Sequence, residues 1–221
     1  STAEMMISAS LNTSTHYIDI TGEIDVFEYA NSKNKEAKAS NVVLCPGVGF
    51  DVIPTDCLAL MLKNELPSGT DLSLAFQPIG SKLSPGTAKT AVEGASKGGW
   101  IRKNGELHSV PLAYATRKID FGSGAKNTVS ISWGDVSTAY FSTGIPNIQV
   151  YFPMSEKSIE RLRKRRKYAI IMKSAVIQNF LKHRIGKNIK GQSEEERKNS
   201  KTNIWGELTD SSGQSVVGRF A

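Results

Sequence analysis

The chain has 221 residues, 39% of them apolar and 22% charged, which places it in the ordinary globular range with length for one large domain or a domain and a half. The net charge of +7 is local, because residues 156–201 hold 15 Lys/Arg against 5 Asp/Glu while the remainder holds 13 against 16. That asymmetry argues against a general nucleic-acid binder, and no apolar run approaches the ~20 residues of a membrane-spanning helix.

Thr2–Leu11 is predicted as a helix, closed by Asn12–Thr13–Ser14, and Tyr17–Ile18–Asp19–Ile20 as a short strand. The chain thus opens inside an element, with no initiator Met and no strand before it. Glu23–Ala39 is polar with scattered apolar residues and is expected to be one helix. Val42–Cys45 is a compact β-branched run, expected to be a buried strand. Pro46–Asp51 is a turn, and Pro54 suits the first turn of a helix that runs to Leu66 with Leu58, Leu62 and Leu66 on one face. Pro67–Gly69 ends it, and Asp71–Gln77 alternates as a strand.

Ser84–Ala95 is predicted as a helix. Trp100–Lys103 and Glu106–Val110 flank Asn104–Gly105, the strongest short hairpin signal in the chain, because both turn residues tolerate positive φ. Lys126–Trp133, Ser137–Ser142 and Asn147–Phe152 are expected to be strands. Ser155 can cap a helix whose run Arg161–Lys167 carries six cations in seven residues. That helix is either a solvated face packed by its apolar side or an anion- or membrane-docking surface, and the first is preferred about two to one given how often basic runs are solvated. Trp205–Thr209 and Gln214–Phe220 form two strands around the turn Asp210–Gly213. The chain stops at Ala221, directly after the second strand, and ends of this kind are expected of a fragment.

Cys45 and Cys57 lack the spacing of a zinc site or a disulfide framework and are expected to be buried thiols in a reducing compartment, with the cytoplasm as the default. His16, His108 and His183 are widely separated, and none has a neighbour at metal-ligand spacing. Gly47-x-Gly49 between a strand and a helix resembles the start of a dinucleotide fingerprint. Three details oppose it as a phosphate site: Val52 stands at the third glycine position, Asp51 brings a carboxylate to the ligand's place, and the next strand begins with its acid, Asp71. Thr21–Gly22–Glu23 lies where α/β sheets place ligands, although spacing alone favours a helix cap there. Trp133 and Asp135 could line a pocket or sit buried beside a turn.

Several stretches together resemble the saccharopine dehydrogenase-like oxidoreductases, the group that includes the bacterial trans-acting enoyl reductases. They are Thr15–Glu23, Pro46–Asp56, Ser84–Ala88, Trp133–Tyr140, Gly191–Arg197 and Trp205–Glu207, with Gln192 standing where a proline is usual. The resemblance implies an α/β fold: residues 1–66 as the end of a Rossmann-like domain, then residues 67–221 as an α+β domain with a mixed, largely antiparallel sheet and a basic helical segment at about 155–200. It implies the second-domain portion of an NAD(P)-dependent oxidoreductase that lacks the N-terminal glycine-rich turn. NAD or NADP would then bind the full-length protein, and neither would bind these residues alone, which are expected to be inactive. Thr21, Gly22, Glu23, Gly47, Val48 and Gly49 would lie near the nicotinamide end, and Thr87, Trp133 and Asp135 toward a small-molecule substrate. Asp51 and Glu23 are the candidates for a catalytic polar group. A homodimer is implied, with no specific nucleic acid; the alternative is a non-catalytic dimerisation module, or one docking on membranes or anions through the basic helix 156–190.

Overall fold

The structure is a computed structural model that describes residues 2–80, 98–166 and 200–220, with Ser174, Ile177, Asn179, Phe180, His183, Arg184 and Glu196 besides. The predicted helix Ser84–Ala95, Thr87 within it, the stretch Gly191–Arg197 apart from Glu196, and Lys167 of the basic run lie outside the described residues.

The first layer is helical. Helix α1 (Thr2–Asn12) leads to strand β1 (Tyr17–Ile18). Helices α2 (Ile24–Ser32) and α3 (Asn34–Ala39) follow, then strand β2 (Leu44–Cys45) and helix α4 (Ile53–Glu65). The single helix expected over 23–39 is broken at Lys33 (φ −89°, ψ 4°), and the bend lets Ala37 of α3 join Val26 and Ala30 of α2 in one core. β1 and β2 pair in parallel, Tyr17 opposite Leu44 and Ile18 opposite Cys45. The expected strand Val42–Cys45 shrinks to two residues, and both cysteines are exposed, which corrects the expectation of buried thiols. Cys45 sits at the outer end of β2, and Cys57 faces away from the leucine face of α4.

The second layer is an eight-stranded sheet. Its strands are β3 (Asp71–Ile79), β4 (Gly99–Lys103), β5 (Glu106–Val110), β6 (Thr116–Asp120), β7 (Ala125–Ile131), β8 (Asn147–Pro153), β9 (Lys201–Thr209) and β10 (Ser215–Phe220). The order is β10-β9-β3-β8-β4-β5, with β7 also on β8 and β6 on β7. Only β3 and β8 run parallel to each other; the other pairings are antiparallel. This is the mixed, largely antiparallel sheet expected. Asn104 (φ 51°) and Gly105 (φ 81°) both take the positive φ their hairpin requires.

One expected strand is a helix. Ser137–Ser142 lies in α5 (Asp135–Thr143), which ends at Gly144 in the left-handed conformation (φ 70°). Asp135, Val136 and Ser137 are buried in succession, a pattern that fits a helix enclosed on most sides rather than a half-buried strand. Burial between α4, α2 and the sheet overrides the strand propensity of Val136, Thr138, Tyr140 and Phe141.

α4 and α5 cover one face of the sheet. Leu58, Leu62 and Leu66 of α4 and Val136 and Ala139 of α5 pack on Leu72, Leu74, Ile148, Val150, Ile204 and Leu208. The opposite face carries Ala75, Ile119, Phe121, Tyr151 and Trp205. Helix α6 (Glu156–Arg165) has the expected Ser155 cap, accepting from Ser158 N at 3.3 Å. Its apolar side lies on the domain, Ile159 and Leu162 packing with Ala113 and Val129. Arg166 just beyond donates to the carbonyls of Leu112 (2.7 Å) and Ala113 (2.9 Å). No described helix is long and apolar enough to cross a membrane.

Candidate functional site

Parallel strands β1 and β2 both release their chains at the same end, so the loops 19–23 and 46–52 emerge side by side. Asp19 ties them together. Its Oδ1 accepts from Thr21 N and from Gly47 N, each at 2.9 Å, and its Oδ2 accepts from the Tyr17 hydroxyl at 2.5 Å. Val48 N donates to the Asp19 carbonyl at 2.8 Å. Burial pushes the Tyr17 hydroxyl up to about 12, with the Asp19 hydrogen bond and charge adding to it.

Gly47 sits at φ +78°, and a Cβ there would stand 2.6 Å from Phe27 Cε1. Glu23 occupies the N-cap position of α2 without a side-chain cap bond; Thr21 Oγ1 instead accepts from Glu23 N at 3.2 Å. The cap expected from Thr21 or Gly22 is therefore a hydroxyl turn one step earlier.

The third component comes from the loop that opens α5. Trp133 Nε1 donates to the Asp51 carbonyl at 2.7 Å. A Cβ on Gly134 would lie 2.7 Å from Phe27 Cε2 and 3.2 Å from the Gly22 carbonyl oxygen. Gly22 in turn faces Asp51, its Cβ position 3.6 Å from Asp51 Oδ2. Residues 21–23, 47–51 and 133–135, distant in sequence, converge on Phe27. Ile20, Val48 and Phe50 leave exposed apolar surface on the two loops.

Three carboxyls near this junction are raised above the usual carboxylate range, each chiefly by burial: Asp51, Asp56 and Asp135. Asp56 of α4 accepts from Ser142 Oγ at 3.0 Å, which offsets part of the effect. Asp135 is fully buried and pushed up to about 7 by burial, with the negative charges of Asp56 and Asp51 adding to it. Among the described residues neither of its oxygens has a hydrogen bond of good geometry; the neighbouring Thr55 hydroxyl, which donates to the Val52 carbonyl at 2.9 Å, and the Asp135 backbone N–H offset a smaller part of the effect. Asp135 thus lies behind the loops, not on a surface that a substrate could touch.

Sequence reasoning missed Asp19, Phe27 and the network of Glu28, Arg102 and Ser137 that fixes α2 to α5. Asp19 had a local signal, since an Asp followed two residues later by a turn amide is a common Asx turn. Phe27 and Arg102 had none, because their partners are remote in sequence. His16 plays a structural part, its Nδ1 accepting from Val43 N at 3.0 Å. Among the described residues no group of three or more His, Cys, Asp or Glu could hold a metal ion.

The turn amides also decide what Gly47-x-Gly49 can bind. Gly47 N and Val48 N are committed to Asp19, and Val52 N donates to the Gly49 carbonyl at 3.4 Å. A pyrophosphate would have to displace the Asp19 carboxylate from Gly47 N and backbone carbonyls from Val48 N and Val52 N, and then lie beside Asp51. The loops do not fit a phosphate. Apolar side chains stand on their rim, and the acids lie behind.

No family model matches the chain, and no curated protein matches it in sequence. Among solved structures it is similar to apo saccharopine dehydrogenase (L-Glu forming) from Saccharomyces cerevisiae, with a TM-score of 0.51 and 6% identity over 99% of this chain and 68% of that one. At that identity the likeness is one of fold: a mixed α/β architecture of the kind found in that oxidoreductase.

Proposed function

We propose that these residues form the nicotinamide end and the substrate side of an NAD(P)-dependent oxidoreductase that transfers a hydride to or from a small molecule. The observation that supports the reading is the convergence of loops 21–23 and 47–51, at the carboxyl ends of two parallel strands, with Trp133 of the second layer. Ligands of open α/β sheets lie in that position. The fold likeness to saccharopine dehydrogenase points the same way.

The cofactor supplies the hydride chemistry when bound, and the chain's part is placement and electrostatics. Val48 and Phe50 offer apolar contact to a flat ring. Glu23 and Asp51 place negative charge where an oxidised, positively charged nicotinamide gains from it. They are also the polar groups within these loops that can exchange a proton. The pyrophosphate has no cradle among the described residues, so its grip comes from residues elsewhere in the protein. Dimerisation through the sheet or the basic helix is compatible with this role.

The test is an amide and indole chemical-shift titration with two half-ligands. Reduced nicotinamide mononucleotide is expected to shift residues 21–23 and 48–51 and the Trp133 indole, and ADP is expected to leave them unmoved. ADP shifting the 47–49 amides while the mononucleotide does nothing would reverse the assignment.

A further inference from the structure

We propose that the Asp135 carboxyl is a protonation-controlled latch, closing the joint between the two site loops and the second layer when neutral and opening it when ionised. The inference goes beyond the redox reading, because it does not depend on which ligand the loops hold.

The geometry isolates this carboxyl. On its N-terminal side, Trp133 is bonded to Asp51, and Gly134 is pressed on Phe27 and the Gly22 carbonyl. On its C-terminal side, the Val136 carbonyl accepts from Arg102 Nε at 2.6 Å, and Ser137 Oγ donates to Glu28 Oε1 at 2.6 Å. The backbone around Asp135 is therefore pinned to the first layer and to β4, while its two carboxyl oxygens are buried with no hydrogen bond of good geometry among the described residues. An ionised carboxylate in that place is cut off from water, and only the Thr55 hydroxyl and its own backbone N–H are placed to favour it among the described residues, less than burial opposes it.

The charges that face it oppose ionisation. Asp56 on α4 and Asp51 in the preceding loop are like charges. Glu28 on α2 is paired with Arg102 on β4, whose guanidinium is committed to Glu28 and to the carbonyls of Gly105 and Val136. β8 brings no charged residue to α5. Water can reach an ionised Asp135 only if a neighbour yields. Val136, Ala139 and Ile145 belong to a fully buried core, whereas the loops carry exposed Ile20, Val48 and Phe50. The loops are the side that gives way.

The raised position of the group, about 7, puts the switch near neutrality. The closed joint keeps a proton that the opened, solvated joint releases above about pH 4. Its preference over the opened joint is thus full below about pH 4 and is lost as pH rises through about 7.

The test is native-state hydrogen exchange on the whole chain at about pH 6 and about pH 8.5, corrected for intrinsic exchange. Wild type is expected to lose roughly tenfold protection at residues 20–23 and 47–53, with the central strands β3, β8 and β9 unchanged. Asp135→Asn is expected to show no such loss. Asp56→Asn removes a like charge, so it moves the midpoint of the loss to lower pH, and it carries the test if the first variant does not fold. A flat wild-type profile, an equal loss in Asp135→Asn, an unmoved midpoint in Asp56→Asn, or a loss spread evenly over β3, β8 and β9 overturns the proposal.

Discussion

Arg102 Nη2 donates to Glu28 Oε1 at 2.5 Å, joining the helical first layer to the sheet through a guanidinium that is 4% exposed. The same guanidinium serves the carbonyls of Val136 and Gly105 and lies 4.3 Å from the Tyr140 ring centroid. One side chain thus holds α2, α5 and the β4–β5 turn in register, and the position of Trp133 and Asp135 against the loops depends on it.

Arg102→Ala strands the Glu28 carboxylate and two backbone acceptors in one step. Removing one partner of a buried pair costs about 3–5 kcal/mol, and partial exposure of Glu28 places this site at the lower end. Arg102→Lys keeps the charge but cannot reproduce the fork, so it recovers less than half of the loss. Urea unfolding of both variants checks this, and a loss below about 1 kcal/mol for the alanine would show that the network carries no weight.

Gly47 and Gly134 press on the same Phe27 ring, at Cε1 and Cε2, and this separates two causes of glycine dependence. Gly134 has an ordinary φ of −53°, so Gly134→Ala fails by crowding alone, at about 1–3 kcal/mol. Phe27→Leu in the same chain is expected to relieve much of that. Gly47 stands at φ +78°, so Gly47→Ala stays destabilised by about 1 kcal/mol even when Phe27 is trimmed. Thermal melts of the single and double variants measure both.

Asp19→Ala leaves the amides of Thr21 and Gly47 without their acceptor. Losing such charged hydrogen bonds costs about 1.5–3 kcal/mol, and amide exchange in both loops should rise together. Asp19→Asn keeps one acceptor oxygen and is expected to retain about half of the stability difference.

Tyr17 gives a spectroscopic handle on the same knot. Its hydroxyl is raised to about 12, first by burial and then by Asp19. The folded state therefore keeps a proton that the unfolded chain loses near pH 10, and stability falls as pH rises from about 10 through about 12. Absorbance titration of phenolate should show Tyr17 titrating late, as buried Tyr151 also does, and Asp19→Ala should bring down Tyr17 alone.

Much of this architecture was legible from residue pattern. The leucine spacing of α4, the Asn104–Gly105 hairpin, the Ser155 cap and the strands around Asp210–Gly213 depend on local chemistry that a short window contains. α5 was not legible, because Val136, Thr138, Tyr140 and Phe141 favour a strand until α4 and α2 enclose them. The exposure of Cys45 has a related reason: Val42–Val43–Leu44–Cys45 has the composition of a buried strand, but it pairs only with β1 among the described residues. At the site, sequence brought forward the loops Thr21–Glu23 and Gly47–Asp51 and the residues Trp133 and Asp135. It did not show that the Gly47 and Val48 amides already bond Asp19, or that Asp135 is fully enclosed. Both facts arise from contacts between segments about 30 to 80 residues apart, which no local pattern encodes.

The proposed role sets the nicotinamide end of a cofactor against loops 21–23 and 47–51 and leaves its phosphates without the Gly47 and Val48 amides, which bond Asp19. It is tested most directly by titrating the purified chain with NADH and following the fluorescence of the reduced nicotinamide. No saturation is expected below about 1 mM, weaker than about −4 kcal/mol. Saturable micromolar binding, abolished by altering residues 47–49, would contradict it.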